Sequence, residues 1–261
     1  MALTTDLEGY WNLDNDVLDS ADAHDGTNTN CTYVSGKNNN CLQADATGDE
    51  KVEFDDIDFI DDISISLWFM PNGFPDTQWI VGDDRWSQSS QWAYNLIIST
   101  TATIKASVLD GGGNLVRIES SLVLQTGYWY HIVMTYDGYT LTLYIDGSSE
   151  GTDTATTDGF QDCSNVLRMM SVLDANDEIE YPVDGKLDEV GVWKRVLTSS
   201  EVTDLYNGGI GVFYDGTSFV EPESEPSDSN ISALGGVLLS NVSQVNSILK
   251  SNIAKVNSVT N

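Results

Sequence analysis

Residues 129–147 read WYHIVMTYDGYTLTLYIDG, and this stretch decides the fold. Two runs of β-branched and aromatic residues flank Asp137-Gly138, a dipeptide typical of tight β-hairpin turns. The second run alternates apolar and polar residues and ends at another turn dipeptide, Asp146-Gly147. The pattern predicts an antiparallel hairpin followed by a further turn.

The same strand signal recurs on both sides of the hairpin. DISISLWF (62–69) alternates apolar and polar residues with a period of two. Residues 94–109 are strand-like throughout and end at DGGGN (110–114), a turn. A late strand is expected over residues 187–196. Many short strands joined by Asp-Gly turns indicate a sandwich or barrel, not alternating strands and helices.

One short helix is predicted near the end of this region. TSSE (198–201) fits a capping box, in which Thr198 and Glu201 each bond the other's backbone amide. Leu205 and Tyr206 follow at helical spacing, and Gly208-Gly209 is expected to end the helix in a left-handed cap (residues 208–209).

Longer motifs resemble the laminin G-like and concanavalin A-like jelly rolls, a family that includes the pentraxins. They are TGYWYHIVMTYDG (126–138), LYIDG (143–147) and DGKLDEVGVWKRVLT (184–198). The opening LEGYWNLD (7–14) is similar to the family's first strand. The resemblance implies an all-β fold of two curved antiparallel sheets over about residues 7–210, often with a bound calcium ion.

Composition excludes two classes of partner. The net charge is −30, from 41 acidic and 11 basic residues, so a nucleic-acid backbone would be repelled. No apolar run reaches the roughly 20 residues that span a bilayer, so membrane insertion is not expected. The first residues lack the basic and apolar regions of a secretion signal, and we expect none in this chain.

Three cysteines are present, at Cys31, Cys41 and Cys163. They lack the paired C-x-x-C spacing of a zinc site. Either Cys31 and Cys41 form a disulfide across adjacent strands, or all three are buried free thiols. The sequence leaves both open.

Calcium is the cofactor that the sequence favours. Five aspartates lie between residues 14 and 25, after the first strand. The family resemblance would bring Asp188 close to them, and calcium prefers several oxygen ligands. We therefore predict a site at Asp14, Asp19 and Asp188. The alternative is that the loop aspartates cap turns through backbone amides.

A glycan contact is predicted in DDRWSQSSQW (83–92), which places two tryptophans in a polar, loop-like stretch. Aromatic faces stack on sugars while polar groups hold their hydroxyls. The candidates are Trp86, Trp92, Asp84 and Arg85. The alternative role for both tryptophans is a core or subunit contact.

Catalysis is not expected. Glucan hydrolases of this fold carry carboxylates at alternate positions, in a pattern like E-x-D-x-E, and two such groups act as acid and nucleophile. EFDD (53–56) and DEIE (177–180) come nearest but lack the third acid. His131 lies inside a strand pattern, which indicates a structural role.

The chain divides into three parts. We predict a jelly roll over residues 1–212, an acidic Pro/Ser linker over 213–229, and a tail over 230–261. The tail holds three eleven-residue repeats, NISALGGVLLS, NVSQVNSILKS and NIAKVNSV. Short β segments, a right-handed helical coil and disorder remain open for it. Its apolar positions are expected to oligomerise the chain or dock it: Ile231, Leu234, Val242, Val245, Ile248, Ile253, Val256 and Val259.

The tail resembles the Asn-Ile-Ser-Lys-Val-Asn-Gly-like repeats at the ends of tailed-phage structural proteins. The resemblance implies a virion protein, a capsid decoration protein or head fibre, mounted on the particle surface as a homo-oligomer such as a trimer. Its jelly roll would bind cell-surface or environmental glycans. The alternatives are an extracellular bacterial adhesin or carbohydrate-binding module and, less favoured, a glycoside hydrolase.

Overall fold

The structure is a computed structural model that describes residues 2–21, 24–54, 62–84, 92–161, 166–174 and 176–222. The helix α1 spans Ser199–Tyr206 and is followed by a 3₁₀ turn, Asn207–Gly209. The strands are, in chain order, β1 (Leu7–Trp11), β2 (Thr27–Thr29), β3 (Thr32–Ser35), β4 (Asn40–Asp45), β5 (Lys51–Glu53), β6 (Ile63–Pro71), β7 (Gln78–Asp84), β8 (Trp92–Ile98), β9 (Ile104–Leu109), β10 (Leu115–Glu119), β11 (Tyr130–Tyr136), β12 (Thr140–Ile145), β13 (Ser148–Thr154), β14 (Leu167–Met169), β15 (Val172–Leu173), β16 (Ile179–Glu180), β17 (Asp184–Trp193), β18 (Phe213–Tyr214) and β19 (Phe219–Val220).

Two large antiparallel sheets contain most of these strands. The eight-stranded sheet has the order β13-β12-β11-β6-β17-β4-β3, and β1 also pairs with β17. The seven-stranded sheet has the order β10-β9-β8-β7-β14-β5-β2. Two hairpins, β15-β16 and β18-β19, lie outside them. The predicted all-β, two-sheet sandwich with one short helix is confirmed in the part of the chain that the structure describes.

The hairpin that decided the prediction is present. β11 and β12 pair in register from Ile132 opposite Ile145 to Tyr136 opposite Leu141, with the turn at residues 137–139. The carboxylate of Asp137 accepts hydrogen bonds from the next backbone amides, which closes the turn.

The stretch 94–109, which is strand-like throughout in sequence, contains two strands. Residues 94–109 are interrupted by a tight turn between β8 and β9, in which the Ser99 amide donates to the Thr103 carbonyl at 2.9 Å. The Ser99 hydroxyl also lies 2.7 Å from the hydroxyls of Thr101 and Thr103. Threonine is enriched in strands, but the hydroxyls of serine and threonine also stabilise turns by local hydrogen bonding. Here these local hydrogen bonds favour the turn over a continuous strand.

The main core lies between the two sheets. Alternate residues on a strand face opposite sides, so one apolar face of each sheet can be buried against the other. The largest buried side chains of this cluster come from both sheets; they include Trp11, Phe54, Phe69, Tyr94, Leu96, Ile132, Tyr136 and Leu187.

A second apolar cluster covers the opposite face of the eight-stranded sheet. Val133 lies between two core residues of β11 and therefore faces outward, where it packs with Trp193. The helix α1 contributes Val202 and Leu205 to this cluster, and both are buried. The helix is thus laid against the sandwich, as its apolar spacing predicted. Among the described residues, no helix is long and apolar enough to cross a membrane.

The predicted capping box is present at the start of α1. The Thr198 hydroxyl accepts from the Glu201 amide, and the Glu201 carboxylate accepts from the Thr198 amide at 2.8 Å. The helix ends one residue earlier than predicted, because Asn207 and not Gly208 is the left-handed cap (φ 45°). Asparagine tolerates this conformation better than most residues.

An ion pair joins the capping box to the segment that follows β17. Arg195 donates to both carboxylate oxygens of Glu201, at 2.9 Å and 2.8 Å, and both side chains are buried. Burial alone would raise the pKa of Glu201, but the hydrogen bonds from Arg195 and Thr198 hold it at about 2, below its ordinary 4.5.

Strand β17 pairs with β6 on one side and with two strands in succession on the other. From Asp184 to Leu187 it pairs with β4, and from Val190 to Trp193 it pairs with β1. The change coincides with a bulge against β6, where Glu189 has a left-handed backbone (φ 53°). A bulge adds a residue to one strand and bends it, so β17 turns from one neighbour to the next here.

The compact unit extends beyond the predicted boundary at residue 212. It spans Met1–Pro222 and includes the β18-β19 hairpin. Phe219 stacks on Trp193 with ring centroids 5.9 Å apart and meets Tyr10 edge-on at 5.5 Å. Residues 213–222 therefore are not linker. The rest of the predicted linker and the repeat tail lie outside the described residues and remain predictions.

Cys31 and Cys41 are buried free thiols and do not form a disulfide. Burial raises the pKa of each thiol to about 12, so both are protonated at neutral pH. Cys163 lies outside the described residues.

The buried ion pair predicts an acid-sensitive stability. Because the folded-state pKa of Glu201 is lower than its ordinary value, its contribution is present above about pH 4.5 and is lost as pH falls toward 2. Glu201→Gln should lower the free energy of unfolding by roughly 2–3 kcal/mol at pH 7. Urea unfolding should show this difference shrinking below pH 4. The exposed Glu178→Gln is the control, and a difference independent of pH would contradict the assignment.

Candidate functional site

A row of polar residues crosses the outer face of the seven-stranded sheet. The strand register places its members directly opposite one another across six adjacent strands. They face away from the core because their sequence neighbours, such as Leu96 and Ala106, belong to it. The row consists of Glu53, Arg168, Gly82, Asn95, Ser107 and Arg117.

At one end of the row, an acid lies between two bases. The Glu53 carboxylate contacts Lys51 Nζ at 2.6 Å and Arg168 Nε at 3.1 Å. Burial opposes ionisation of Glu53, but these two partners outweigh it and lower its pKa. The arginine itself is buried. This end of the row is therefore satisfied and held rigidly.

The other end contains a hydroxyl and a half-buried guanidinium. Arg117 on β10 reaches across to β9, where its Nε donates to Ser107 Oγ at 2.9 Å. The serine is fully buried. The Arg117 backbone amide donates to Asp153 on β13, which ties this edge to the other sheet.

Asn95 lies at the middle of the row and is only 1% exposed. In the part of the chain that the structure describes, neither its Nδ2 nor its Oδ1 has a hydrogen-bond partner. A buried polar group without a partner costs roughly 1–3 kcal/mol. Native structures rarely retain such a group without a reason.

Beside Asn95, β7 approaches β8 more closely than a side chain allows. A Cβ atom at Gly82 would lie 2.7 Å from the Tyr94 carbonyl oxygen and 3.0 Å from Asn95 Cα. Glycine is therefore required at this point of the row. Next to it, Trp79 and Ile97 form a small apolar cluster with Val172 of the β15-β16 hairpin.

The predicted glycan-contact residues belong to the same pair of strands. The backbones of Asp84 and Trp92 pair at the ends of β7 and β8, which carry Gly82 and Asn95 further along. Arg85 and Trp86, and the side chains of Asp84 and Trp92, lie outside the described residues. Their contact with a glycan stays a prediction. Sequence reasoning missed Asn95, Ser107, Arg117 and Arg168, because only the strand register brings them together.

A second group of interest is a pair of buried acids at the bulge of β17. Asp188 Oδ2 accepts from the backbone amides of Lys37 and Asn38, at 2.8 Å and 3.1 Å. Glu189 accepts from the Tyr10 hydroxyl at 2.6 Å and from Asn38 Nδ2 at 2.7 Å. Asp188 Oδ1 is buried and has no partner among the described residues.

Burial dominates the electrostatics of this pair. Loss of solvent, followed by repulsion from Glu189, raises the pKa of Asp188 to about 9. Burial likewise raises the pKa of Glu189 to about 8. Both acids therefore favour their protonated forms at neutral pH unless a cation compensates.

The structure brings together only part of the predicted calcium set. Asp14 accepts from the Asn40 amide at 3.0 Å, so it contacts the same turn, residues 36–40, that Asp188 contacts. Asp19 instead caps another turn, accepting from the amides of Tyr10, Ala21 and His24. Within the described ranges, no three His, Cys, Asp or Glu side chains form a metal-binding group. Asp14, Asp19 and Asp188 are therefore not assembled as a set of three.

His131 has the structural position that the sequence indicated. It is 1% exposed and lies 2.8 Å from the Ser66 hydroxyl through Nε2. Its ring stacks on Tyr206 and meets Trp68 at a tilt, and these two rings also stack on each other. Burial, then the charge of Lys37, lowers its pKa to about 3, so it stays neutral.

The two acidic runs considered for catalysis are held in other ways. Glu53 lies in its ion pairs, and Asp55 and Asp56 lie outside the described residues. The other run lies at the β15-β16 hairpin, where Glu178 and Glu180 are exposed.

A family model described as the concanavalin A-like lectin/glucanases superfamily matches residues 46–203. The chain belongs to this superfamily. The match covers most of the two sheets and the motifs at 126–138, 143–147 and 184–198, and the opening motif at 7–14 lies before it. No curated protein matches the chain.

The solved structures similar to this chain include binding domains. The binding domain of Paraclostridial Mosquitocidal Protein 1 has a TM-score of 0.66 at 16% identity, covering 80% of this chain and 54% of that one. The binding domain of botulinum neurotoxin serotype D gives 0.62 at 14%, covering 79% and 53%. The chain thus spans about half the length of these two domains. At such identities the likeness shows the fold.

A third solved structure is matched along nearly its whole length. It is domain 4 of AbnA, a GH43 extracellular arabinanase from Geobacillus stearothermophilus, in complex with arabinotriose. Its TM-score is 0.57 at 21% identity, and the match covers 76% of this chain and 97% of that domain. At this identity, too, the likeness shows the fold.

Proposed function

We propose that this chain is a non-catalytic, glycan-binding jelly roll that binds through the outer face of its seven-stranded sheet. The observation that carries the proposal is the polar row on that face, with an unpartnered buried amide at its centre. Polar groups fixed along one sheet face suit saccharides, whose hydroxyls need several donors and acceptors. The arabinotriose bound to domain 4 of AbnA supports the same ligand class.

The proposal includes a place for the domain on a virus particle. An acid-free tail with three apolar repeats follows the acidic jelly roll, and repeats of this kind need a partner to bury their apolar residues. We propose a phage capsid decoration protein or head fibre at the virion surface, oligomerised or docked through that tail. This part is supported by the sequence of the tail alone.

A carbohydrate-binding module or adhesin outside the cell is the second candidate. It is favoured by the match to nearly all of domain 4 of AbnA, a module of an extracellular enzyme. The protein would then be found in culture medium, whereas a decoration protein would copurify with particles. Mass spectrometry of both fractions separates the two.

We also propose calcium as a ligand of the β17 bulge. Asp188 Oδ1 is buried without a described partner, and Asp14 contacts the same turn. A divalent cation bound by these two carboxylates would offset the cost of burying their negative charge and keep both ionised. Asp19 is not part of this proposal, because its oxygens already cap a turn.

Glycan binding is tested on the full chain with an array of neutral and acidic oligosaccharides that includes arabinotriose. We expect binding to neutral glycans with Kd values in the micromolar range or weaker, as for a shallow protein face, roughly −8 kcal/mol or less in magnitude. An array with no bound glycan would refute the proposed function. Release of reducing sugar from any bound glycan would refute its non-catalytic part.

Self-assembly is tested by light scattering on the full chain and on a chain that ends at Pro222. We expect an oligomer that becomes monomeric on truncation, because the shorter chain keeps the whole compact unit but loses the apolar repeats. Both chains should bind the same glycans on the array. Two monomers would contradict self-assembly through the tail and favour the second candidate.

Calcium binding is tested by thermal unfolding in calcium and in EDTA. We expect calcium to raise the midpoint by roughly 2–4 °C, since a ligand that binds only the folded state stabilises it. Asp14→Asn and Asp188→Asn should abolish the gain. Asp19→Asn is the matched control: it should lower the midpoint in both buffers and keep the gain. A gain that survives in Asp188→Asn would contradict the assignment.

A further inference from the structure

Asn95 is the least satisfied side chain of the polar row, and its neighbours on the next two strands are Ser107 and Arg117. We propose that these three residues form a subsite for two adjacent hydroxyls of a neutral saccharide. The inference rests on the proposed glycan-binding function and names both the residues and the chemical class of the ligand.

The geometry of the subsite follows from the register. Asn95 pairs directly with Ser107, and Ser107 pairs directly with Arg117, so the three side chains project from one face at successive strand spacings of about 4.8 Å. Arg117 reaches from β10 to β9 to donate to Ser107 Oγ, which holds its guanidinium on the side of the row that leads to β8. A ligand oxygen above Ser107 would lie between a guanidinium and an amide.

Gly82 bounds the subsite on the side of β7, where it pairs with Asn95 opposite Ser107. A Cβ atom there would lie 2.7 Å from the Tyr94 carbonyl oxygen and 2.8 Å from Trp79 Cζ2, so the Trp79 ring occupies the space that a side chain would fill. Beyond Gly82, Arg168 is held by Glu53. The row therefore places the Asn95 amide between an aromatic ring on one side and the hydroxyl of Ser107 on the other.

The two vacant atoms of Asn95 define the ligand class. Nδ2 donates and Oδ1 accepts, so full satisfaction requires a partner that does both. Two neighbouring sugar hydroxyls can accept from the one and donate to the other. An ionised carboxylate or phosphate only accepts, and would leave Oδ1 unpaired. The net charge of −30 also disfavours an anion.

A role in binding would explain why the Asn95 amide is retained although it lowers the stability of the fold. Without ligand, Asn95 destabilises the fold, because its two polar atoms have lost water and gained no partner in the described structure. With ligand, both atoms are satisfied. Residues that bind a ligand often lower the stability of the fold. Replacing such a residue with an apolar one of similar size therefore raises stability and weakens binding.

Asn95→Leu tests the inference, since leucine has nearly the shape of asparagine and no polar atoms. We expect its thermal midpoint to equal or exceed that of the wild type, and its Kd for the tightest neutral glycan on the array to rise about tenfold or more. The control is Asn28→Leu on β2, whose amide is fully bonded to Cys31 and Tyr33. That variant should lose stability and keep the wild-type Kd.

A second variant keeps the test independent of the packing around Asn95. Arg117→Gln changes a half-buried side chain at the sheet edge and should raise the same Kd several-fold, about 1 kcal/mol for one lost hydrogen bond to ligand. Trigalacturonate, an acidic probe, should bind more weakly than neutral trisaccharides to the wild type.

The outcomes separate the two proposals. Wild-type binding that Asn95→Leu and Arg117→Gln both leave unchanged would overturn the subsite and leave glycan binding standing at another face. An unfolded Asn95→Leu would show that the amide is satisfied within the fold, which also overturns the subsite. A preference for trigalacturonate would overturn the neutral ligand class. No glycan binding by the wild type would remove the proposed function itself.

Discussion

The bulge in β17 is the constraint on which the rest of the eight-stranded sheet depends. One strand must pair with β6 along its length while its other edge passes from β4 to β1. Both acids at this point are buried, and the turn at residues 36–40 folds over them to supply backbone and amide donors. Tyr10 brings the first strand to the same place. The N-terminal strand, the β3-β4 hairpin and the last long strand are therefore joined at one polar centre.

Much of the fold could be predicted, because the decisive signals are local. The turn at Asp137, the capping box of Thr198 and Glu201, and the alternation in β6 each depend on neighbours within a few residues. The prediction was wrong where two local preferences compete. Residues 94–109 are strand-like throughout in sequence, yet the hydroxyls of Ser99 and Thr103 stabilise a turn in the middle of this stretch. The helix ends at Asn207 because asparagine, like glycine, can adopt the left-handed conformation of a helix cap.

The candidate site could be predicted only in part. A loop with two tryptophans is visible in the sequence, but Asn95, Ser107 and Arg117 are ordinary strand residues until the register aligns them. Pairing across strands depends on packing of the whole sheet, which no local pattern encodes. The calcium set shows the same limit. Asp14 and Asp19 look equivalent in sequence, yet one contacts the turn beneath Asp188 and the other caps a turn of its own.

The two buried thiols affect how the fold responds to redox conditions. Cys31 and Cys41 are free and protonated, so in the described part of the chain neither sheet depends on oxidation for its stability. Burial also withholds them from thiolate chemistry, since only the ionised sulfur reacts readily. These two positions are therefore indifferent to redox potential. The jelly roll can fold in a reducing compartment and keep the same structure after transfer to an oxidising one.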